Sequence, residues 1–423
     1  MSINSYEAAV NLLDKRGAIY SDRPRMPMIK ELLGWSWNLV VMSYSEGFAA
    51  HRKLIQQRLS ATVVAKEYRP VMYRETKVLL RNLLSSPDEY LHHLKSMTGA
   101  IVMMITYGHS VAPEGDEYIK LAENVRETGG GAHGSVLIDF LPWLQYVPAW
   151  FPGAGFKRHA EYARSLHLTM RSEPYEEVKQ LMAAGTAAPS LVSNLIEDNH
   201  TENNPEIEDF IKNIGGVIYS AGADTSVTVL TDFVLAMMRN PHVQARAQKE
   251  LDEVVGHSRL PEFSDRTDLP YISGIVKESL RWRAVAPLGV VHSVTENDEY
   301  RGMFIPKSTA VLPNLNAMLH DSERVYPNHD DFDPTRHIVE GSKDAAPDPA
   351  RAVFGFGRWI CPGRFFQEND GHSGRLSAVH PRPQAPGSWE LLGPGDTDKA
   401  GPVVCRLLRP FDGEIRYEQE SEC

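Results

Sequence analysis

The chain has 423 residues, of which 42% are hydrophobic and 23% are charged, a balance typical of an ordinary globular protein with a large core. Its formal net charge of −11 argues against a general nucleic-acid-binding protein. The three cysteines, Cys361, Cys405 and Cys423, are too few for a disulfide framework and favour a reducing compartment.

The first predicted elements are helical. Residues 5–16 predict a short amphipathic helix that stops at Gly17. Residues 50–81 predict a longer helical region broken near Pro70. Prolines among aromatic residues make the segment 139–156 a packed loop or a set of short helices. The polar stretch 183–204 predicts a surface connection.

The clearest element is a long helix. Asn204 is a good N-cap and Pro205 suits the first helical position. Apolar residues then recur at helical spacing as far as Asn240-Pro241. About 35 residues give a helix of roughly 50 Å, which must cross the whole domain. The same Asn-Pro signal begins the next helix, which ends at Gly256.

Strand-like segments follow at residues 288–294, 299–306 and 310–313, and they look like hairpins. Without repeats or linkers, the sequence predicts a mainly α fold with a minor β portion, in one domain over residues 1–423. Residues 367–401 depart from this pattern because their many glycines and prolines leave no periodicity, which predicts a loop or disordered segment. No apolar run reaches 18 residues and the first residues lack a signal-peptide pattern, so no membrane span is predicted.

Cys361 lies in an unusual glycine-rich pattern, Phe354-Gly-Phe-Gly-Arg-Trp-Ile-Cys-Pro-Gly363. A thiolate that holds a haem iron needs backbone N–H groups near the sulfur, and glycines such as Gly357 and Gly363 allow that close approach. The thiolate then donates electron density to the iron. The alternative is a buried structural cysteine in a glycine-rich turn, which the pattern as a whole disfavours.

The segment Ala221-Gly-Ala-Asp-Thr-Ser226 lies midway along the long helix. Gly222 weakens a helix by about 1 kcal/mol relative to alanine, and Thr225 can donate back to the carbonyl of Ala221. An acid, Asp224, beside an alcohol in a loosened turn suits proton delivery to a dry pocket. The alternative is a solvated Asp224 and a Thr225 that only satisfies its own helix.

Glu278 and Arg281 are three residues apart on a predicted helix and can form an ion pair. Arg336, in Phe332-Asp-Pro-Thr-Arg, is a candidate second partner for the same carboxylate. A buried glutamate shared by two arginines would be a structural lock, whereas an ordinary surface arginine at 336 is the alternative. The propionates of a haem also need cationic or hydrogen-bonding partners, for which the candidates are His51, Arg52, His292 and Arg358.

Taken in order, these motifs resemble those of the cytochrome P450 superfamily: A-G-A-D-T-S, E-S-L-R, F-D-P-T-R and F-G-F-G-R-W-I-C-P-G. The segments 22–27 and 139–158 further resemble fungal members, particularly those of basidiomycetes. The resemblance covers about residues 3–366. It implies the cytochrome P450 fold and a monooxygenase with haem b that inserts one oxygen atom from O2 into a small hydrophobic substrate, such as a fungal secondary metabolite or a xenobiotic.

The resemblance also implies partners and residue roles. Electrons would come from NADPH through a flavoprotein reductase, and members of the family are expected at the cytoplasmic face of the endoplasmic reticulum. By position, Cys361 would be the axial ligand of the haem iron, and Asp224 and Thr225 would relay protons. The other implied roles are cofactor binding by His51, Arg52, His292, Phe354, Gly357, Arg358 and Gly363, and a structural triad of Glu278, Arg281 and Arg336.

Several departures weaken the implied activity. Phe48 stands where the family has a tryptophan, and Trp359 where it has an arginine, which removes a charge-assisted contact of about 1.5–3 kcal/mol. The chain opens at what resembles the family's second helix, without the membrane anchor and the first helix and strands. Residues 367–401 stand where the family has an apolar helix, and a misread exon boundary or a frameshift is one explanation.

Two alternatives therefore stay open. The chain is either an active enzyme or a non-catalytic remnant of the family with impaired haem binding. A third reading is a cysteine hydrolase that uses Cys361 with a histidine such as His292, but such a nucleophile needs a base within hydrogen-bond reach, and nothing in the sequence places one.

Overall fold

The computed structural model describes residues 1–130, 136–199, 204–321, 325–339 and 345–368. These residues form a mostly helical fold with two small sheets, which confirms the predicted fold class. The α-helices are, in chain order, α1 (Tyr6–Ala9), α2 (Gly17–Tyr20), α3 (Glu46–Arg58), α4 (Ala61–Val63), α5 (Arg69–Ser85), α6 (Tyr90–Tyr107), α7 (Glu117–Gly130), α8 (Val136–Phe140), α9 (Gly155–Ala183), α10 (Leu191–Asn199), α11 (Pro205–Arg239), α12 (Pro241–Val254), α13 (Pro270–Trp282), α14 (Leu315–Leu319), α15 (Ala350–Val353) and α16 (Arg364–Glu368).

The strands are short and lie in two sheets. They are β1 (Ser2–Ile3), β2 (His292–Ser293), β3 (Asp298–Tyr300), β4 (Met303–Ile305) and β5 (Ala310–Pro313). β5 is central in the first sheet, parallel to β1 and antiparallel to β2, with Val311 opposite His292. β3 and β4 form a separate antiparallel hairpin.

Helix α11 is the axis of the main core. Asn204 caps it, because its side chain accepts a hydrogen bond from the backbone N–H of Ile207 at 3.3 Å. It packs chiefly against α6 and α9, and Ile211, Ile214 and Tyr219 along it are fully buried. Among the described residues, α11 is the one helix that is long and apolar enough, by length and composition, to cross a membrane. Its buried side chains belong to the main hydrophobic core.

The long helix and the helix after it lie where the sequence predicted them, and Gly256 beyond the second adopts the left-handed conformation (φ +74°). Other predicted boundaries were wrong. Gly17 begins α2 instead of only ending a helix. The helical region 50–81 is interrupted at Leu59 and Ser60, whereas near Pro70 the chain passes without a gap from a π-helical turn, Val64–Tyr68, into α5.

Two further segments differ from the prediction. The segment 183–204, predicted as a surface connection, contains α10. Leu191, Val192 and Leu195 form a buried face of this helix, which the polar average composition of the segment does not reveal. The strand predicted over 288–294 shrinks to two residues, and the segment 299–306 contains the turn between β3 and β4. Gln367 and Glu368 belong to α16, and the rest of the predicted loop 367–401 lies outside the described residues.

Candidate functional site

The Cys361 loop follows α15 and is built on left-handed glycines. Gly355 and Gly357 have φ values of +77° and +56°, which side chains rarely tolerate. A Cβ at position 357 would also overlap the carbonyl oxygen of Leu13, and the N–H of Gly357 donates to Asp14. The N–H of Cys361 donates to the carbonyl of Phe354 at 2.7 Å, which closes the loop.

The environment of the Cys361 sulfur favours a thiolate once a cation binds. Burial raises the pKa of the thiol, while backbone N–H groups of Gly363 and Arg364 and the charge of Arg52 oppose that rise. A Cβ added to Gly363 would lie 3.5 Å from the sulfur, so the chain passes close to it. Cys361 would bind a metal cation as the deprotonated thiolate, and the same backbone N–H groups would stabilise that anion.

Two buried arginines converge on this loop. Arg52 donates to the carbonyl of Ile360, the residue before Cys361. Arg23 stacks over the ring of Trp359 at 3.7 Å and donates to the carbonyls of Val40 and Val291. Neither arginine forms an ion pair with a carboxylate in the part of the chain that the structure describes. Burial lowers the pKa of Arg52 to about 10 and that of Arg23 to about 9, and both remain cationic at neutral pH.

Trp359 and Phe48 pack together. Their rings lie 4.2 Å apart between centroids, and the Trp359 indole N–H donates to the carbonyl of Ser21 at 2.9 Å. Phe48 is buried. The two residues that depart from the family pattern therefore fill space against each other, and the indole forms a platform under Arg23.

The predicted propionate partners occupy different surroundings. His292 is buried on β2, and its Nδ1 donates to the carbonyl of Tyr20 at 2.8 Å. Burial and, second, the charge of Arg23 lower the pKa of His292 to about 4. His51 contacts the carbonyl of Gly47 through Nδ1 at 2.7 Å and the Asn213 amide through Nε2 at 3.4 Å, so both of its nitrogens are already engaged.

Arg358, the remaining predicted partner, is exposed. Its guanidinium lies 4.3 Å from the ring centroid of Tyr44 and forms no ion pair among the described residues. The structure therefore brings Arg52 to the Cys361 loop, places His292 beside Arg23, and leaves Arg358 at the surface.

The structure brings Arg281 and Arg336 to the Glu278 carboxylate. Arg281 makes two hydrogen bonds of 2.8 Å with it and Arg336 one of 3.1 Å. His337 Nε2 contacts the other carboxylate oxygen at 2.8 Å, and the N–H of Asp333 donates at 3.0 Å. Burial alone would raise the pKa of Glu278, but these donors outweigh burial and lower it to about 2.

In α11, Thr225 donates to the carbonyl of Ala221 at 2.9 Å, the hydrogen bond that the sequence predicts. Asp224 Oδ1 lies 3.7 Å from Nε of Arg126 on α7. Thr98 on α6 donates to the carbonyl of Ala223 at 3.2 Å. The motif is thus fastened to α6 and α7, while Thr225 itself is exposed.

The comparisons with known sequences agree with this geometry. The family described as Cytochrome P450 matches residues 1–369. The chain belongs to the cytochrome P450 family. It is 40% identical to Cytochrome P450 monooxygenase COX2 of Coprinopsis cinerea, over 86% of this chain and 70% of the relative. Cytochrome P450 monooxygenase 208 of Postia placenta is also 40% identical, with 86% and 71% covered. Cytochrome P450 monooxygenase claR of Ampulloclitocybe clavipes is 38% identical, with 86% and 67% covered.

The residues of this cytochrome P450 fit a haem. One half-buried thiol with amide donors suits the iron, and two buried cations without carboxylate partners among the described residues suit the anionic propionates. Sequence reasoning missed Arg23 and His337. His337 could have been found because it directly follows Arg336 in the sequence. Arg23 lies 336 residues before Trp359, and only the fold brings the two together.

Proposed function

We propose that this chain is a haem-thiolate monooxygenase that inserts one oxygen atom from O2 into a small hydrophobic substrate, in fungal secondary metabolism or xenobiotic oxidation. Haem b, when bound, supplies the oxygen-activating chemistry. The observation that carries the proposal is the Cys361 loop, which turns through the left-handed Gly355 and Gly357 and in which the backbone N–H groups of Gly363 and Arg364 oppose the rise in the thiol pKa. The names of the fungal relatives support the reaction class.

The predicted residues other than His51, whose two ring nitrogens are already engaged, have roles in this proposal. Cys361 binds the iron, within a loop whose conformation depends on Phe354, Gly357 and Gly363. Asp224 and Thr225 move protons towards the oxygen. The Glu278 cluster holds α13 to the segment 327–337, because Arg281 also donates to the carbonyl of Asp331 and Arg336 to that of Pro327. Arg358 remains a candidate cofactor-binding residue at the surface.

Electron supply and location belong to the same proposal. We expect electrons from NADPH through a flavoprotein reductase, at the cytoplasmic face of the endoplasmic reticulum. Membership of the family supports both expectations.

The test is the carbon monoxide difference spectrum of the reduced, purified chain. The unaltered chain and Asp224→Asn should both give the red-shifted Soret band of a thiolate-bound haem, and Cys361→Ala should not. If the unaltered chain is folded but gives no such band, the remnant reading is correct. A thiolate band that survives in Cys361→Ala would refute the ligand assignment.

The hydrolase reading has no structural support. Among the described residues, no hydrogen bond joins Cys361 to a histidine, and the Nδ1 of His292 is engaged with Tyr20. The lowered pKa of His292 also makes it a poor base at neutral pH.

We further propose Arg23 as a propionate partner, in addition to Arg52 and to a His292 ring that must gain a proton on Nε2 to donate to a carboxylate. Its buried guanidinium has no carboxylate partner among the described residues and lies on Trp359, where the family expects an arginine. Removing one charge-assisted hydrogen bond should weaken haem binding about 10- to 100-fold.

The experiment compares haem with haem dimethyl ester, which lacks the propionate charges, in titrations of the apoprotein. Arg23→Met should weaken haem binding and leave the ester unaffected, and Arg25→Met, a nearby exposed arginine paired with Glu31, is the control. Equal weakening of both ligands would mean that Arg23 only holds the fold. If adding Trp359→Arg to the Arg23→Met chain restores haem affinity, an arginine at either position supplies the same positive charge to the propionates.

A further inference from the structure

A cavity of about 350 Å³ lies between α6, α7, α9 and α11. Its wall is largely apolar, with Ile119, Val125 and Val227 among the lining side chains. Neither Arg52 nor any residue of the segment 354–363 lines it. Ligand binding in this cavity can therefore be tested separately from haem binding at the Cys361 loop.

Two ion pairs line the same cavity, and they differ in geometry. Nζ of Lys95 lies 2.8 Å from Oε1 of Glu123 and donates a hydrogen bond to it. Nε of Arg126 lies 3.7 Å from Oδ1 of Asp224, which is too far for a hydrogen bond. Within the described ranges, Arg126 donates no hydrogen bond to any other group. The Lys95 charge is therefore satisfied, whereas the Arg126 guanidinium keeps unused donors.

The Arg126 guanidinium is accessible to a ligand. Its side chain lines the cavity and is 45% exposed. A guanidinium presents its N–H donors in a rigid planar fork that fits the two oxygens of a carboxylate, and such charge-assisted bonds are about twice as strong as neutral ones. Asp224, whose side chain is 56% exposed, competes weakly, because water screens an exposed ion pair that lacks a hydrogen bond.

We propose that this cavity binds an apolar molecule that carries a carboxylate, which accepts two hydrogen bonds from the guanidinium of Arg126. The carbon skeleton then lies against the apolar wall around Val125 and Val227. A neutral amide of the same shape would meet the same wall but would form no ion pair with Arg126. An ammonium group would face Asp224 alone, as a compact and strongly hydrated charge without a planar fork, so a cationic molecule fits less well.

The identification of this acid as the enzyme's substrate rests on the proposed function. A substrate carboxylate would draw Arg126 away from Asp224, the residue proposed to move protons towards the oxygen. Binding of the substrate would therefore release the side chain that the reaction uses. In the absence of substrate, Asp224 would stay beside Arg126 at the edge of the cavity.

The test is equilibrium dialysis of the full chain at pH 7 and low salt, with three probes of matched shape: adamantane-1-carboxylate, adamantane-1-carboxamide and 1-adamantylammonium. The carboxylate should bind about tenfold more tightly than the carboxamide, the effect of charge-assisted hydrogen bonds. Arg126→Met should remove this preference, and Arg126→Lys, which keeps the charge but not the fork, should retain only part of it. Asp224→Asn should raise the affinity for the carboxylate about two- to fivefold, because it removes the competing anion.

Lys120→Met is the matched control, since it removes one positive charge from the same helix at a residue that does not line the cavity, and it should keep the preference. Arg52→Met separates this cavity from the Cys361 loop. A preference lost in Arg52→Met and kept in Arg126→Met would overturn the proposal. Thermal unfolding checks that each variant folds, and Arg126→Lys and Asp224→Asn together test the proposal if Arg126→Met does not fold.

Equal binding of the carboxylate and the carboxamide, or tighter binding of the ammonium probe, would also overturn the proposal. So would a fall in carboxylate affinity in Asp224→Asn. The dialysis does not depend on haem. A missing thiolate band would overturn the proposed function and the substrate assignment, while the carboxylate preference would still establish the site. A thiolate band without that preference would overturn the site alone.

Discussion

Replacing Glu278 with glutamine should destabilise the chain strongly at neutral pH. The change keeps the shape of the side chain and removes its charge. Glu278 and Arg281 are completely buried, and Arg336 and His337 are nearly so. The variant therefore leaves two buried guanidinium groups beside a neutral amide. Breaking a buried ion pair in this way costs about 3–5 kcal/mol.

The pH dependence gives a second measure of the same interaction. The pKa of Glu278 falls from an ordinary 4.5 to about 2 in the folded chain. At 1.36 kcal/mol per pH unit, this difference corresponds to ~3 kcal/mol of stability. Because the folded pKa is the lower one, the contribution is complete above about pH 5 and disappears as the pH falls from 4.5 to about 2.

The assay is urea unfolding, followed by circular dichroism, at several pH values between 7 and 2.5. The free energy of unfolding of the unaltered chain should exceed that of Glu278→Gln by about 3 kcal/mol or more at pH 7. This difference should decrease below pH 4.5. Glu7→Gln is the control, since Glu7 pairs with Arg301 at the surface and should matter little. A gap that is absent at pH 7, or that stays constant down to pH 2.5, would refute the reasoning.

Three further outcomes follow from particular contacts. Gly357→Ala should lower haem incorporation, measured as the pyridine haemochrome, because a methyl group would strain a left-handed residue by about 1–2 kcal/mol and overlap the Leu13 carbonyl. The stability of the apoprotein should decrease as the pH falls from 6.5 to about 4, since protonation of His292 favours the unfolded chain, and His292→Gln should flatten this slope in urea unfolding. Gly222→Ala should lower the thermal stability of the chain, since the new Cβ would lie 2.7 Å from a methyl group of Val102, and adding Val102→Ala should restore it. If Gly222→Ala instead raises the thermal stability, the helix gain of about 1 kcal/mol dominates and the packing argument is wrong.

The predictions that succeeded depended on short-range signals. The Asn-Pro signals and helical spacing located α11 and α12, because caps and periodicity are local properties of a sequence. The Thr225 hydrogen bond was equally local. The Glu278 cluster was predictable in part, because both arginines lie in recognisable motifs, although its fourth member, His337, was not singled out.

The failures concern features that the fold alone brings together. β1 pairs with β5 across about 310 residues, and two-residue strands carry too little pattern to be recognised. α10 was hidden by the polar residues around it, although three apolar side chains bury its inner face. Arg126 stands 98 residues before Asp224 and lies in no motif, so their contact could not be found from the sequence.

Trp359 shows how a substitution read alone can mislead. In the sequence it removes a positive charge that the family places two residues before the cysteine, and it favours an inactive remnant. In the structure its indole lies beneath Arg23, 3.7 Å from the guanidinium, and is fixed by Phe48 and Ser21. A cation over a tryptophan face is held by about 0.5–2 kcal/mol, so the ring positions a positive charge from another part of the chain. The charge near the Cys361 loop is thus relocated, and Trp359 by itself is no argument against haem binding.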